Sequence, residues 1–210
     1  MESYDTWNSR IAAAASRLGF SEGYKILYVP WETLGRSDTV FLSLNPGRPP
    51  HGAVLDTLTD ERGNSYEVER TTTASPITAQ FLALSELIKL KPRDILTGTV
   101  APFRSNRWKT LPSGQRNAAL ALGREFWRQA FSLRRPKTVI ACCSEAAIVA
   151  NDLLGGKAEL TIASGWGDTS LRRYRAPDGA VIVEIPHLST FKLLSCPECR
   201  EPLRTILELS

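Results

Sequence analysis

The chain has 210 residues, 42% of them hydrophobic, and a formal net charge of +4. That fits one α/β-sized domain over residues 1–210 with enough apolar side chains for a real core. No apolar run reaches the roughly 18 residues of a membrane span, the start Met1-Glu2-Ser3-Tyr4-Asp5 lacks the basic-then-apolar pattern of a secretory leader, and four cysteines are too few for a disulfide scaffold, so the expected location is the cytosol.

Asp5 to Leu18 reads as an Ala-rich helix stopped by Gly19. Lys25-Ile26-Leu27-Tyr28-Val29 is a short strand candidate before Pro30, and Thr39-Val40-Phe41-Leu42 is a second, delivering the loop Ser43-Leu44-Asn45-Pro46-Gly47. Arg48 to Thr73 is long and polar; loops of this length without secondary structure are usually functional or disordered. Ser75-Pro76 pairs a cap with a first-turn proline. Ile77, Phe81, Leu84, Leu87 and Ile88 then recur at helical spacing. Asp94 to Val100 is the next strand, ending at Ala101-Pro102-Phe103, and residues 114–132 form a long helix stopped before Pro136. Thr138 to Cys143 reads as a buried strand, followed by a Ser144-capped helix that stops at Gly155-Gly156. Ser170–Arg175 and Ala180–Ile185, joined by Pro177-Asp178-Gly179, form a hairpin, and a short helix follows Pro202. Alternating strands and helices predict a three-layer αβα fold around a mostly parallel sheet of about four strands.

Charge is unevenly spread. Between Gly98 and Lys137 the basic residues Arg104, Arg107, Lys109, Arg116, Arg124, Arg128, Arg134, Arg135 and Lys137 face a single acid, Glu125. Such an excess suits a polyanion such as nucleic acid, or else a solvated helix face.

Two loops carry the chemistry. Asn45 and His187 each follow a predicted buried strand, and in open α/β sheets ligands sit beyond the carboxyl ends of the strands. An amide and an imidazole are thereby expected to face each other across one pocket.

Four segments, in order, resemble the uracil-DNA glycosylase superfamily. Phe41-Leu42-Ser43-Leu44-Asn45-Pro46-Gly47 looks like its first catalytic motif, and Thr97 to Arg104 like the strand-end segment that reads the base. Thr138 to Ala147 resembles the third strand and helix, and Ile185-Pro186-His187-Leu188-Ser189-Thr190-Phe191 the second motif with its intercalating loop. Asn in the first motif with His in the second is most similar to the single-strand-selective monofunctional branch. The chain departs at Ser43, where that branch has glycine, at Leu188 and Thr190, which replace prolines, and at Thr99, where many members carry a base-reading asparagine.

The resemblance implies a cofactor-free enzyme that hydrolyses the N-glycosidic bond of uracil or a related damaged base in DNA and leaves an abasic site. Asn45 would position water and His187 would hydrogen-bond the developing base anion. Ser43, Leu44, Pro46, Gly47, Tyr66 and Thr99 would line the base pocket, with Tyr66 as its stacking ring. Arg48, Arg104, Arg107, Lys109, Ser189 and Lys192 are candidate phosphate contacts, Phe191 a wedge filling the vacated stack, and His51 a pocket or phosphate contact. Cys196-Pro197-Glu198-Cys199 lacks a second cysteine pair at metal-ligand spacing, so no metal is expected. Two rivals remain: a nucleic-acid-binding protein of the same fold that has lost turnover, and a small-molecule enzyme whose Pro46-Gly47-Arg48 loop cradles a nucleotide phosphate. The partner expected is DNA, with no membrane association and a monomeric protein.

Overall fold

The computed structural model describes residues 1–47, 52, 54–72, 75–105 and 107–209. Its centre is a six-stranded sheet in the order β2-β1-β3-β6-β5-β4. The strands are β1 (Thr39–Ser43), β2 (Ile95–Thr99), β3 (Thr138–Ala141), β4 (Lys157–Ala163), β5 (Ser170–Arg175) and β6 (Val181–Glu184). β2, β1, β3 and β6 pair in parallel, and β5 and β4 extend the sheet antiparallel. The expected mostly parallel sheet is therefore present, but it has six strands where about four were expected. The hairpin supplies β5, and β4 lies where the sequence reading placed no element. Its signal is a two-residue period, Ala158, Leu160 and Ile162 alternating with Lys157, Glu159 and Thr161.

The helices are α1 (Tyr4–Leu18), α2 (Ser65–Val68), α3 (Pro76–Leu87), α4 (Ser113–Leu133), α5 (Ser144–Leu154) and α6 (Arg200–Ile206). Alternation along the parallel strands sends side chains to two separate cores. Val40, Leu42, Leu96, Val139, Ala141 and Ile182 join Trp7, Ile11, Phe126, Trp127 and Val149, from α1, α4 and α5. Phe41, Ile95, Ile140 and Val183 join Phe81, Leu84, Leu203 and Ile206, from α3 and α6. Helices thus cover both faces of the sheet. None of the described helices is long and apolar enough to cross a membrane.

Three local expectations are corrected. Residues 25–29 lie beside β2, tied by the Tyr28 N–H to the Thr97 carbonyl at 2.8 Å and the Thr99 N–H to the Ile26 carbonyl at 2.9 Å, but they bend and contribute one isolated bridge, Leu27 to Gly98, instead of a strand. The cap of α5 is Cys143, whose Sγ accepts from the Ala146 N–H at 3.4 Å, while Ser144 is already helical. α6 begins at Arg200, so Pro202 lies in its first turn, where its missing N–H breaks no bond.

From residue 54 the supposedly structureless loop is pinned in place. The fully buried Leu58 offers its carbonyl to the Leu27 N–H at 2.8 Å. Asn64 donates to the Thr97 hydroxyl at 3.0 Å and caps α2 by accepting from the Tyr66 N–H at 3.1 Å.

Close backbone approach fixes where α4 meets the sheet. A Cβ at Gly123 would stand 1.9 Å from the Val100 carbonyl oxygen. Gly123→Ala is expected to destabilise the fold by about 1–3 kcal/mol, as overpacking does, and to lower the thermal unfolding midpoint by several degrees. An unchanged midpoint in a calorimetric scan would show that α4 is free to shift.

Candidate active site

Parallel pairing places the carboxyl ends of β1, β3 and β6 on one edge, so the loops after β1 and β6 open on the same side. They are two inter-strand steps apart, about 9.5 Å. Between them lies a cleft of about 450 Å³ lined by Ser43, Asn45, Gly47, Tyr66, His187 and Ser189 among others, a size within the range of small-ligand sites. The amide and the imidazole converge on one cavity.

Asn45 is held in a defined orientation. Its Nδ2 donates to the carbonyls of Pro46 and Ser105, each at 2.9 Å. These bonds identify the nitrogen and leave Oδ1 as an acceptor with no partner among the described residues. The loop is clamped from outside as well: Arg104, only 7% exposed, donates from Nη1 to the Gly47 carbonyl at 3.1 Å.

His187 is held just as closely. The Ser189 backbone N–H, which can only donate, points at Nδ1 from 3.3 Å, and the Ser189 hydroxyl lies 2.7 Å from the same nitrogen. Nδ1 is therefore the acceptor, and the neutral ring carries its proton on Nε2. Burial lowers the His187 pKa below its ordinary value, partly offset by the charge of Glu145. Leu188 fixes the loop from below, its N–H donating to Cys142 Sγ at 3.2 Å. Cys142 is fully buried, which pushes its thiol up to about 12 and keeps it a neutral anchor.

Tyr66 is buried and lines the cleft. It packs edge-on to Tyr28 at 5.2 Å and against Phe81 at 4.8 Å. Burial raises the pKa of both tyrosines, so both hydroxyls stay protonated. Ser43 lines the cleft too, with its hydroxyl 3.5 Å from the Gly98 carbonyl.

Other expected site residues lie elsewhere. Thr99 is fully buried and its hydroxyl donates to the Lys25 carbonyl at 3.1 Å, away from the cleft. Leu44 packs on the first core, Pro46 is buried behind the loop, and Phe191 packs on the second core. Lys192 is exposed and lines a neighbouring groove with Arg70. Arg107 and Lys109 are exposed on either side of the buried Trp108, which lines the cleft. Arg48 and His51 fall outside the described residues.

The basic stretch is also not one surface. Arg124 pairs with Asp152, Arg134 and Lys137 with Asp38, and Arg135 with Asp178, while Arg10 takes Glu125. Of the stretch, Trp108 lines the cleft, and the exposed Arg107 and Lys109 adjoin it in sequence. The described residues include no group of three or more His, Cys, Asp or Glu side chains able to hold a metal.

Sequence reasoning missed several lining residues. Lys25, Tyr28, Ser65, Glu69 and Trp108 all reach the cleft. Lys25 is 7% exposed, donating to Asp60 at 3.1 Å and to the Ser65 hydroxyl at 2.8 Å. Burial lowers its pKa, and the Asp60 charge opposes that shift. A lysine heading an apolar run and a tryptophan between two cations were legible hints; nothing marked Glu69.

No protein-family model and no curated protein matches the chain.

Because the folded imidazole binds its proton more weakly than the unfolded one, protonation of His187 destabilises the fold only as pH falls below the ordinary value of 6.5. Nitrogen-detected NMR is expected to show His187 neutral at pH 7 with its proton on Nε2, and titrating below 6.5. A charged ring at pH 7 would refute this assignment.

Proposed function

We propose that the protein is a monofunctional DNA glycosylase of the uracil-DNA glycosylase type, hydrolysing the bond between deoxyribose and uracil or a related damaged base. The observation that carries this reading is that Asn45 and His187 line one cavity with complementary polarity. Asn45 Oδ1 is an acceptor with no partner among the described residues, and the His187 ring holds an N–H donor.

A base must leave the duplex stack to reach such a cavity, at a cost of a few kcal/mol, least when the strand is already single. Stacking on an aromatic ring offsets about 1–3 kcal/mol of this; Tyr28, Tyr66 and Trp108 line the cleft, and Tyr66 is the ring the resemblance points to. As the glycosidic bond lengthens, the sugar becomes cationic and the base anionic. The His187 Nε2–H donates to a base carbonyl oxygen on which that charge gathers; one such oriented donor is worth about 2.7–4 kcal/mol. A neutral donor suits this step because it needs no proton transfer. Asn45 accepts a hydrogen bond from water and aims its oxygen at the sugar C1′. An amide is too weak a base to remove the proton, which leaves once the water is bonded to C1′. The hydroxyl ends on the sugar, and the departing base nitrogen gains a proton. Arg107 and Lys109, exposed on either side of the cleft-lining Trp108, are the candidate phosphate contacts, which fix position without reading sequence.

Thr99, closed off from the cleft, favours a second reading in which the protein binds nucleic acid without turnover. Uracil-containing oligonucleotides, single- and double-stranded, followed by alkaline cleavage of abasic sites, separate the two. Strand breaks at uracil are expected. Asn45→Ala and His187→Ala are each expected to reduce turnover at least about tenfold while retaining DNA binding. Binding with no release of uracil, hypoxanthine, xanthine or mispaired thymine would overturn the enzymatic reading.

A further inference from the structure

We infer that Glu69, with Lys25 beside it, is the specificity-determining pair of this cleft and selects a base with an imide edge, an N–H flanked by two carbonyls. The inference rests on the reading of the cleft as a base pocket. On the strand where the resemblance expects an amide reader, Thr99 is fully buried and its hydroxyl is engaged with the Lys25 carbonyl at 3.1 Å. The edge of a base in the cleft must be met by other groups.

Among the described residues two charged side chains line that cleft, and both come from segments outside the sheet. Lys25 Nζ spends two of its three protons on Asp60 and Ser65, leaving one donor. Asp60 is in turn bonded by Arg62 at 2.8 Å and by the Ser65 hydroxyl at 2.9 Å, so its carboxylate is already satisfied. Glu69 is different. It sits three residues after Tyr66 and lines the cleft with it. Its carboxylate has no hydrogen bond or ion pair among the described residues. Burial raises its pKa, while the charges of Lys25, Arg104 and Arg62 hold it down and that of Asp60 raises it further. A half-buried carboxylate left without a donor is an incomplete interaction, which a ligand N–H completes.

With His187 donating to one base carbonyl, the cleft presents two donors and one strong acceptor. An imide edge offers two acceptors and one donor, so each group finds its complement. An amino-pyrimidine edge offers a ring-nitrogen lone pair and an amino group instead. It would leave the carboxylate facing a lone pair or the ammonium facing an N–H.

Free bases test the assignment without requiring turnover. Titration calorimetry with uracil, 3-methyluracil and cytosine measures the worth of the N3–H. The wild-type protein is expected to prefer uracil about tenfold or more over both competitors, the range for a hydrogen bond to a charged group. Glu69→Ala should lose that preference, and Glu69→Gln, whose carbonyl still accepts, should recover part of it, with thermal midpoints confirming that all three proteins are folded. Equal binding of uracil and 3-methyluracil by the wild type, tighter binding of cytosine, or a preference that survives in Glu69→Ala overturns the inference. Uracil release from DNA with that preference surviving in Glu69→Ala would refute the edge assignment alone. A wild type that neither binds any free base nor releases one from DNA would refute both readings.

Discussion

Everything at the cleft depends on the parallel pairing of β1 and β6 to opposite sides of β3. Thr39 aligns with Thr138, and Thr138 with Val181, so the three strands start level and finish level. Their ends deliver Asn45 and His187 to one edge at a separation set by backbone hydrogen bonds rather than by side-chain packing. The middle strand contributes a short side chain at that edge, Cys142, whose sulfur holds the β6 loop without filling the gap. A parallel sheet needs long crossovers, here built around α3, α4 and α5. That is why residues 142 positions apart in sequence share a cavity.

The second layer of order is polar and local. Each candidate catalytic group is oriented by the loop that carries it, Asn45 by carbonyls of its own loop and of the segment after β2, His187 by the serine two residues later. Orientation through backbone groups is insensitive to side-chain exchange elsewhere, and it fixes which atom donates and which accepts. Arg104 illustrates the opposite economy. A cation placed to meet phosphate on sequence grounds is instead folded inward to hold the Gly47 carbonyl.

Much of the frame was legible because parallel strands buried on both faces leave continuous apolar runs, as in Thr39–Leu42 and Thr138–Cys143. The ordered motifs placed Asn45 and His187, and both reach the cleft. β4 was missed because it lies exposed at the sheet edge and its alternation is interrupted by charge. The segment 54–72 read as loop because its order comes from distant partners, Lys25 for Asp60 and Thr97 for Asn64, which no local pattern contains. For the same reason Glu69 could not be found. Charge counted along Gly98–Lys137 misled as a surface measure, since acids from Asp38, Asp152 and Asp178 fold back to neutralise it.

The irregular register of β4 has a bearing on solubility. An outer strand with unpaired backbone groups is a template for runaway stacking of one molecule on the next. Here pairing with β5 slips between Ala158 and Leu160, which bends the ribbon. Lys157 and Glu159 add charge along it, with Glu159 gripped by Arg173 and Arg175. On the far side of the sheet, residues 24–28 shield β2. Fibre-like growth is thus opposed at both margins, and the molecule can carry a wide sheet without inviting copies of itself to extend it.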